Sequence, residues 1–266
     1  MISRNASKLI RSLAMKKHRD AQGLCMAEGH KLAEELFDLH RLGITRTEKI
    51  FATEPWLGIH GEKWNTLGVE TVPAGEDELK KVSQLTTPPG VLALVRIPRS
   101  GVDVSVLAEK PLLGFEAIRD PGNLGTVVRT AEWFGIRHIL CSPDSVDAFS
   151  PKVIQASMGA VFRMQVHELE LSALLDSAGF AGKPVFGTFL EGKNLYETPL
   201  GTNPLILFGN ESRGLSDVLA SRIRERITIP RFGAPGPGSE SLNLAASVAV
   251  VCAEMARRAG PIQSGN

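Results

Sequence analysis

Five polar residues, in or just beyond the loops that follow three apolar runs, carry the chemistry available to this chain: Asn123, Arg129, Glu211, Ser241 and Asn243. A guanidinium clasps a phosphate through two parallel hydrogen bonds, so Arg129 reads as an anion anchor. The amides of Asn123 and Asn243 present a donor and an acceptor to a hydroxyl, or cap the helices that they open. Glu211 shares its loop with Arg213, and either orients Arg129 or pairs with Arg213. With Ser241 as the cap of the last helix, Asn243 is left to face a substrate.

The elements that must position these groups are legible around them. Leu112 to Phe115 is a buried strand, and Asp120-Pro121-Gly122-Asn123 is turn chemistry, because Pro sets φ while Gly and Asn tolerate positive φ. Asp120 or Asn123 caps the following helix, which stops at Gly135. Leu205 to Phe208 is a second strand running into the polar loop from Gly209 to Gly214. Ile227 to Pro230 is a third. The stretch 231–240 is too rich in Gly and Pro to be regular, and forms a candidate lid. Ser241-Leu242-Asn243 then opens an Ala/Val-rich helix through Met255. Strands at His138–Cys141, Phe162–Val166 and Pro184–Thr188 alternate with helices at Lys152–Met158 and Leu169–Ala178, and Glu191–Asn194 reads as a polar loop. Such alternation makes a parallel sheet covered on both faces, and ligands sit at the carboxyl ends of its strands.

Two nucleotide-binding alternatives fail on spacing. Gly209 to Gly214 has the gap of a phosphate-binding loop, but Leu215-Ser216 stands where Lys-Ser or Lys-Thr is required. Gly122 and Gly125 do not complete a dinucleotide fingerprint.

The ordered trio Asn123…Arg129, Phe208-Gly209-Asn210-Glu211 and Ile229-Pro230…Ser241-Leu242-Asn243 resembles the three motifs of the SpoU/TrmH family of RNA ribose 2′-O-methyltransferases, over residues 112–258. The resemblance implies S-adenosyl-L-methionine as cofactor, met by main-chain groups at Gly209, Ile229 and Leu242. It implies catalytic roles for Asn123, Arg129, Glu211, Ser241 and Asn243. Arg129 is then a phosphate anchor and hydroxyl activator, not a base, because arginine does not deprotonate in proteins. No metal is expected in the reaction. A deep trefoil knot threaded by 205–244 and a homodimer through the C-terminal domain are also implied. The spacer 231–240 is longer and richer in Gly and Pro than in many members. The rival reading is a non-catalytic RNA-binding or ribosome-assembly protein on the same fold.

The first ninety or so residues, within the usual size of a domain, form a separate α/β unit. Strands are expected at Leu24–Ala27, Lys49–Ala52, Val69–Val72 and Val91–Ile97, with helices at His30–Leu42, Pro55–Trp64 and Glu76–Leu85. The unit resembles the ribosomal-protein-like substrate-binding domain of SpoU-type enzymes, which favours ribosomal RNA over transfer RNA as partner. The expected organisation is two α/β domains: an RNA-binding domain at 1–98, a linker at 99–110, and a parallel-sheet methyltransferase domain at 111–266. Residues 1–22 read as one basic helix that contacts phosphate or simply faces solvent. Trp56 and Trp64 read as core residues rather than base-stacking platforms.

A formal net charge of +1 excludes a globally basic nucleic-acid surface, so RNA contact must come from local patches. Cys25, Cys141 and Cys252 are odd in number, far apart and in apolar surroundings. They read as buried thiols of a reducing compartment, not as disulfides or zinc ligands. No apolar run reaches the roughly 20 residues of a membrane span, and the basic N-terminus lacks an apolar core, which points to the cytoplasm.

Overall fold

The computed structural model describes residues 1–98, 101, 103–233 and 240–260. The core of the expected lid (234–239), part of the expected linker and the tail beyond Gly260 lie outside the described residues. The chain divides into two compact units: Met1–Arg99 with Asp147–Arg163, and Ser100–Val146 with Met164–Asn266.

The first unit contains α1 (Arg4–Ser12), α2 (Lys16–Gln22), β1 (Leu24–Glu28), α3 (His30–Arg41), β2 (Thr47–Ala52), α4 (Glu54–Thr66), β3 (Glu70–Pro73), α5 (Glu76–Val82) and β4 (Val91–Arg96). Its sheet runs β1-β4-β2-β3, with β4 antiparallel to both neighbours and β2 parallel to β3. Ile10, Leu13, Met26, Phe51, Leu79 and Leu92 fill a core beneath it. The single basic helix expected over 1–22 is two helices. Arg19 explains the break: it is 2% exposed, its guanidinium donates to the carbonyls of Leu13 and Ala14, and it pairs with Asp147. A residue that reads as a solvent-facing cation is therefore a buried brace.

The second unit contains α6 (Val104–Ala108), β5 (Leu112–Phe115), α7 (Pro121–Trp133) and β6 (His138–Cys141), and, after α8 (Pro151–Ala156) of the first unit, β7 (Gln165–Glu168), α9 (Leu171–Asp176), β8 (Val185–Asn194), β9 (Leu205–Phe208), α10 (Asp217–Ala220), β10 (Glu225–Thr228) and α11 (Leu244–Ala259). All six strands are parallel, in the order β10-β8-β9-β5-β6-β7. The chain leaves β5 toward β6 and later returns to β9 on its other side, so the strand order reverses between β5 and β9. That reversal opens a crevice at the strands' carboxyl ends.

Three local expectations are corrected. The strand expected at Phe162–Val166 begins at Gln165, because Met158 and Gly159 turn the chain at positive φ into a 3-10 turn at Ala160–Phe162. The strand expected at Ile227–Pro230 lies at Glu225–Thr228. Glu191–Asn194, expected as a loop, is the second half of β8 and pairs with β10 across a register shift. Gly192 makes this possible: a Cβ there would stand 2.8 Å from the Arg226 carbonyl oxygen.

The three cysteines are buried free thiols, and burial pushes Cys141 and Cys252 up to about 12, which leaves them inert. Trp64 is fully buried and Trp56 is 9% exposed, both as core residues. No helix among the described residues is long and apolar enough to cross a membrane.

Candidate active site

Phe115 and Phe208 end the two strands that flank the crevice, paired in register and stacked at 5.2 Å. Everything polar in the site hangs from the residues just after them. Behind Phe115, Glu116 binds Ser216 through both carboxylate oxygens, at 2.7 Å to its N–H and 2.6 Å to its hydroxyl. Ala117 sits at φ 55°, a left-handed conformation that costs a non-glycine residue about 1–2 kcal/mol. Its N–H donates to Ser142 Oγ at 2.8 Å, and Ser142 Oγ donates to Asp144 at 2.6 Å. These bonds hold a strained turn that aims the chain into α7.

Asp120 is the N-cap of α7, its Oδ1 accepting from the Asn123 N–H at 2.8 Å, with Pro121 at the first helical position. Because Asp120 does the capping, the Asn123 side chain is free to work. Its Nδ2 donates to Glu211 Oε1 at 3.2 Å, and its Oδ1 accepts from Asn243 Nδ2 at 3.1 Å. Asn243, not Ser241, caps α11, with Oδ1 accepting from Ala245 and Ala246 at 2.9 and 3.3 Å. One amide thus caps a helix with its oxygen and reaches Asn123 with its nitrogen. Ser241 is exposed two residues upstream.

Behind Phe208, Gly209 is crowded by backbone: a Cβ there would lie 2.0 Å from the Gly214 carbonyl carbon. Asn210 and Gly214 exchange main-chain hydrogen bonds at 3.0 and 2.9 Å, closing the loop. Asn210 Nδ2 donates to the Ala117 carbonyl at 2.9 Å, which ties the two strand ends together. Glu211 accepts from Asn123 and Asn210, and among the described residues it pairs with neither Arg129 nor Arg213. Both sequence alternatives for Glu211 give way to an amide network.

Arg119, Asp120, Asn123, Asn210, Glu211, Ser212, Arg213 and Asn243 line a cleft of about 880 Å³, within the range of about 300–1,000 Å³ usual for small-molecule sites. Arg129, Gly209, Ile229, Ser241 and Leu242 are not among its walls. Arg129 lies six residues after Asn123, roughly 9 Å along α7 and turned by about 240°. It is exposed, and its guanidinium makes no hydrogen bond or ion pair with any described residue. Ile229 is half-buried and Leu242 is 53% exposed, and the main-chain groups of both have no hydrogen-bond partner among the described residues. Unspent N–H and C=O groups beside uncovered apolar side chains suit a heterocycle with polar edges. Glu116, Ala117 and Ser142 escape sequence reasoning, whereas Asp120 is one of the two caps that the sequence offers for α7, and Asn210 stands in the second motif with no role of its own there.

Comparison with known proteins finds a family for both parts of the chain. Residues 111–253 match the SpoU rRNA Methylase family and residues 5–93 an MRM3-like substrate binding domain. The 23S rRNA (guanosine(2553)-2′-O)-methyltransferase of Bacillus subtilis is 28% identical over 91% of this chain and 92% of its own. A putative RNA methyltransferase of the TrmH family from Porphyromonas gingivalis superposes with a TM-score of 0.81 and 37% identity, over 97% of this chain and 99% of its own. An AdoMet-bound rRNA methyltransferase from Sinorhizobium meliloti superposes with a TM-score of 0.79 and 27% identity, over 97% and 96%. With its motifs gathered at one reversal of a parallel sheet, and with these matches over more than half its length, the chain belongs to the SpoU rRNA methylase family.

Proposed function

We propose that the chain transfers a methyl group from S-adenosyl-L-methionine to a ribose 2′-hydroxyl of RNA, with ribosomal RNA preferred to transfer RNA. The observation that carries this reading is the hydrogen-bonded line Asn243–Asn123–Glu211 at the reversal between β5 and β9. It presents oriented amides where a hydroxyl must be held. The names of the Bacillus and Sinorhizobium relatives support the reaction class, the rRNA substrate and the cofactor.

When bound, the cofactor supplies an activated methyl on a sulfonium. The rest is positioning, which can lower a barrier by roughly 7–11 kcal/mol. The unpartnered main-chain groups at Ile229 and Leu242, with the closed Gly209 turn, would hold the cofactor. Asn123 and Asn243 orient the ribose hydroxyl, and Glu211 fixes the Asn123 amide. Ser241 contacts the nucleotide from the loop before α11. Arg129 anchors its phosphate and favours the developing alkoxide.

A homodimer packed through the second unit gives Arg129 a place. The cleft of one protomer, which its own Arg129 does not line, receives the guanidinium of its partner. A deep trefoil knot over 205–244 belongs to the same reading, as do RNA binding by the N-terminal region, a lid function for 231–240 and a cytoplasmic location.

The test is methyl transfer from isotopically labelled S-adenosyl-L-methionine to ribosomal RNA isolated from cells that lack the protein. The reading predicts one new alkali-resistant ribose methylation. Cofactor binding with no label in ribosomal or transfer RNA favours the non-catalytic assembly protein. Mixing an Arg129→Ala chain with an Asn123→Ala chain tests the shared site: the mixture regains activity if protomers complement each other, and stays dead if each site is complete within one chain.

A further inference from the structure

Three side chains of the first unit converge on one point. His30 and Glu34 stand four apart on one face of α3, and His60 faces them from α4. Glu34 Oε1 lies 3.5 Å from His60 Nδ1 and 3.9 Å from His30 Nδ1, and one ligand atom of each residue lies within 4.8 Å of the other two. Among the described residues no other three His, Cys, Asp or Glu side chains meet this closely. Atoms bound at about 2.0–2.2 Å to one tetrahedral ion stand roughly 3.3–3.6 Å apart, so small rotations of His30 and Glu34 complete the geometry.

The ordinary reading is a solvated ion-pair cluster, since Lys63 Nζ donates to both Glu34 oxygens at 2.7 Å. That reading accounts for Lys63 but not for the two imidazoles. Their ring centroids lie 4.8 Å apart, and Trp56 closes on the His60 ring, again at 4.8 Å. Trp56 Nε1 donates to His30 Nδ1 at 3.4 Å, so that nitrogen carries a lone pair. The bond is long and yields readily. The His60 ring is held in place by Trp56 on one side, with its Nδ1 turned to within 3.5 Å of Glu34 Oε1. Two imidazoles and one carboxylate make a donor set suited to zinc, cobalt, nickel or copper.

We infer that His30, Glu34 and His60 form a site for a divalent transition-metal ion that clips α3 to α4. In the metal-free chain the Lys63 ammonium stands in for the cation at Glu34. Metal entry displaces it toward the Phe37 ring, which already lies 4.6 Å from Nζ. His30 and Glu34 are half-exposed, so the ion keeps coordination positions open to water.

The experiment is titration of the full-length protein with zinc by calorimetry and with copper by tryptophan fluorescence. The inference predicts one ion per chain bound at the clip, a rise in melting temperature, and quenching that falls sharply in Trp56→Phe. Glu34→Gln, a change at a half-exposed position, weakens binding by roughly tenfold or more. Lys63→Met tightens it by removing the competing cation. The inference fails if wild type binds neither ion. It also fails if the His30→Ala, His60→Ala double variant, checked for folding by circular dichroism, binds as wild type does. Binding that survives those changes but is lost in His167→Ala assigns the ion elsewhere and overturns it equally.

Discussion

Asn243 Nδ2 donates to Asn123 Oδ1 at 3.1 Å across 120 positions of sequence, joining the N-cap of α11 to the first turn of α7. The same Asn243 oxygen caps its own helix, so one residue carries both a structural and a positioning duty. The two duties separate by substitution. Asn243→Ser keeps a good cap, because serine and asparagine cap about equally well. It removes the amide nitrogen that holds Asn123. Its melting temperature should stay near wild type while methyl transfer falls by about tenfold or more, the equivalent of roughly 1.4 kcal/mol in the barrier. Asn243→Ala should lose the cap as well, at about 1 kcal/mol of stability. Full activity in Asn243→Ser would remove the amide link from the mechanism.

Arg129 is exposed and unpartnered in the single chain, so its removal should cost less than about 0.5 kcal/mol of stability. Arg129→Ala should abolish turnover and leave cofactor affinity, read by calorimetry, close to wild type. Arg129→Lys should recover little, because an ammonium cannot form the two-pronged contact to phosphate. Turnover at the wild-type rate in Arg129→Ala would exclude the anchor role.

Gly209 is required by its neighbours before any ligand arrives. A Cβ there would stand 2.0 Å from Gly214 C and 2.1 Å from Leu215 N, both backbone atoms that cannot step aside singly. Gly209→Ala should therefore open the Asn210–Gly214 turn, cost roughly 1–3 kcal/mol, and weaken cofactor binding with it. Gly214→Ala meets open space but must hold φ near 70°, and should cost only about 1–2 kcal/mol. Thermal unfolding of both variants checks the order.

Acid sensitivity should come in two windows. His138 Nδ1 and His167 Nε2 lie 3.2 Å apart, and burial lowers both below the ordinary 6.5, with Lys110 opposing charge on His138 and His138 on His167. The unfolded chain therefore binds more protons than the folded one just below 6.5. Stability falls as pH drops from 6.5 toward the lowered folded values, and it is regained above 6.5. The Glu254 carboxylate is pulled down to about 2 by hydrogen bonds first from Arg257 and then from Arg258. Its contribution is complete above the ordinary 4.5 and lost only as pH falls toward 2. His167→Gln should narrow the first window, to which His60, also lowered by burial, contributes as well, and leave the second, as read by urea unfolding across the pH range. An unchanged first window would clear the pair of that role.

The parts of the fold legible in sequence are those in which a residue's own chemistry decides. Leu112–Phe115, His138–Cys141 and Leu205–Phe208 are apolar runs buried on both faces, and Asp120-Pro121-Gly122 can hardly be anything but a turn into a helix. The parts that escaped are decided by a distant partner. Glu191–Asn194 is polar yet becomes strand, because β10 supplies a ladder and Gly192 lets it come close. Ala117 carries no sign that Ser142 and Asn210 will hold it at positive φ. Arg19 looks solvent-facing until Asp147, far along the chain, takes up its charge. In the site itself, the residue types of Asn123, Glu211 and Asn243 announced a cluster. Which of Ser241 and Asn243 would cap, and which partner Glu211 would choose, depended on geometry.

The most direct test of the account is nucleoside analysis of ribosomal RNA, taken from cells without the protein and incubated with S-adenosyl-L-methionine and either wild type or Asn123→Ala. The account predicts one additional 2′-O-methylated nucleoside with wild type. It predicts none with Asn123→Ala, although that variant still binds cofactor. A methyl group found on a base, or equal ribose methylation by the two proteins, would contradict it.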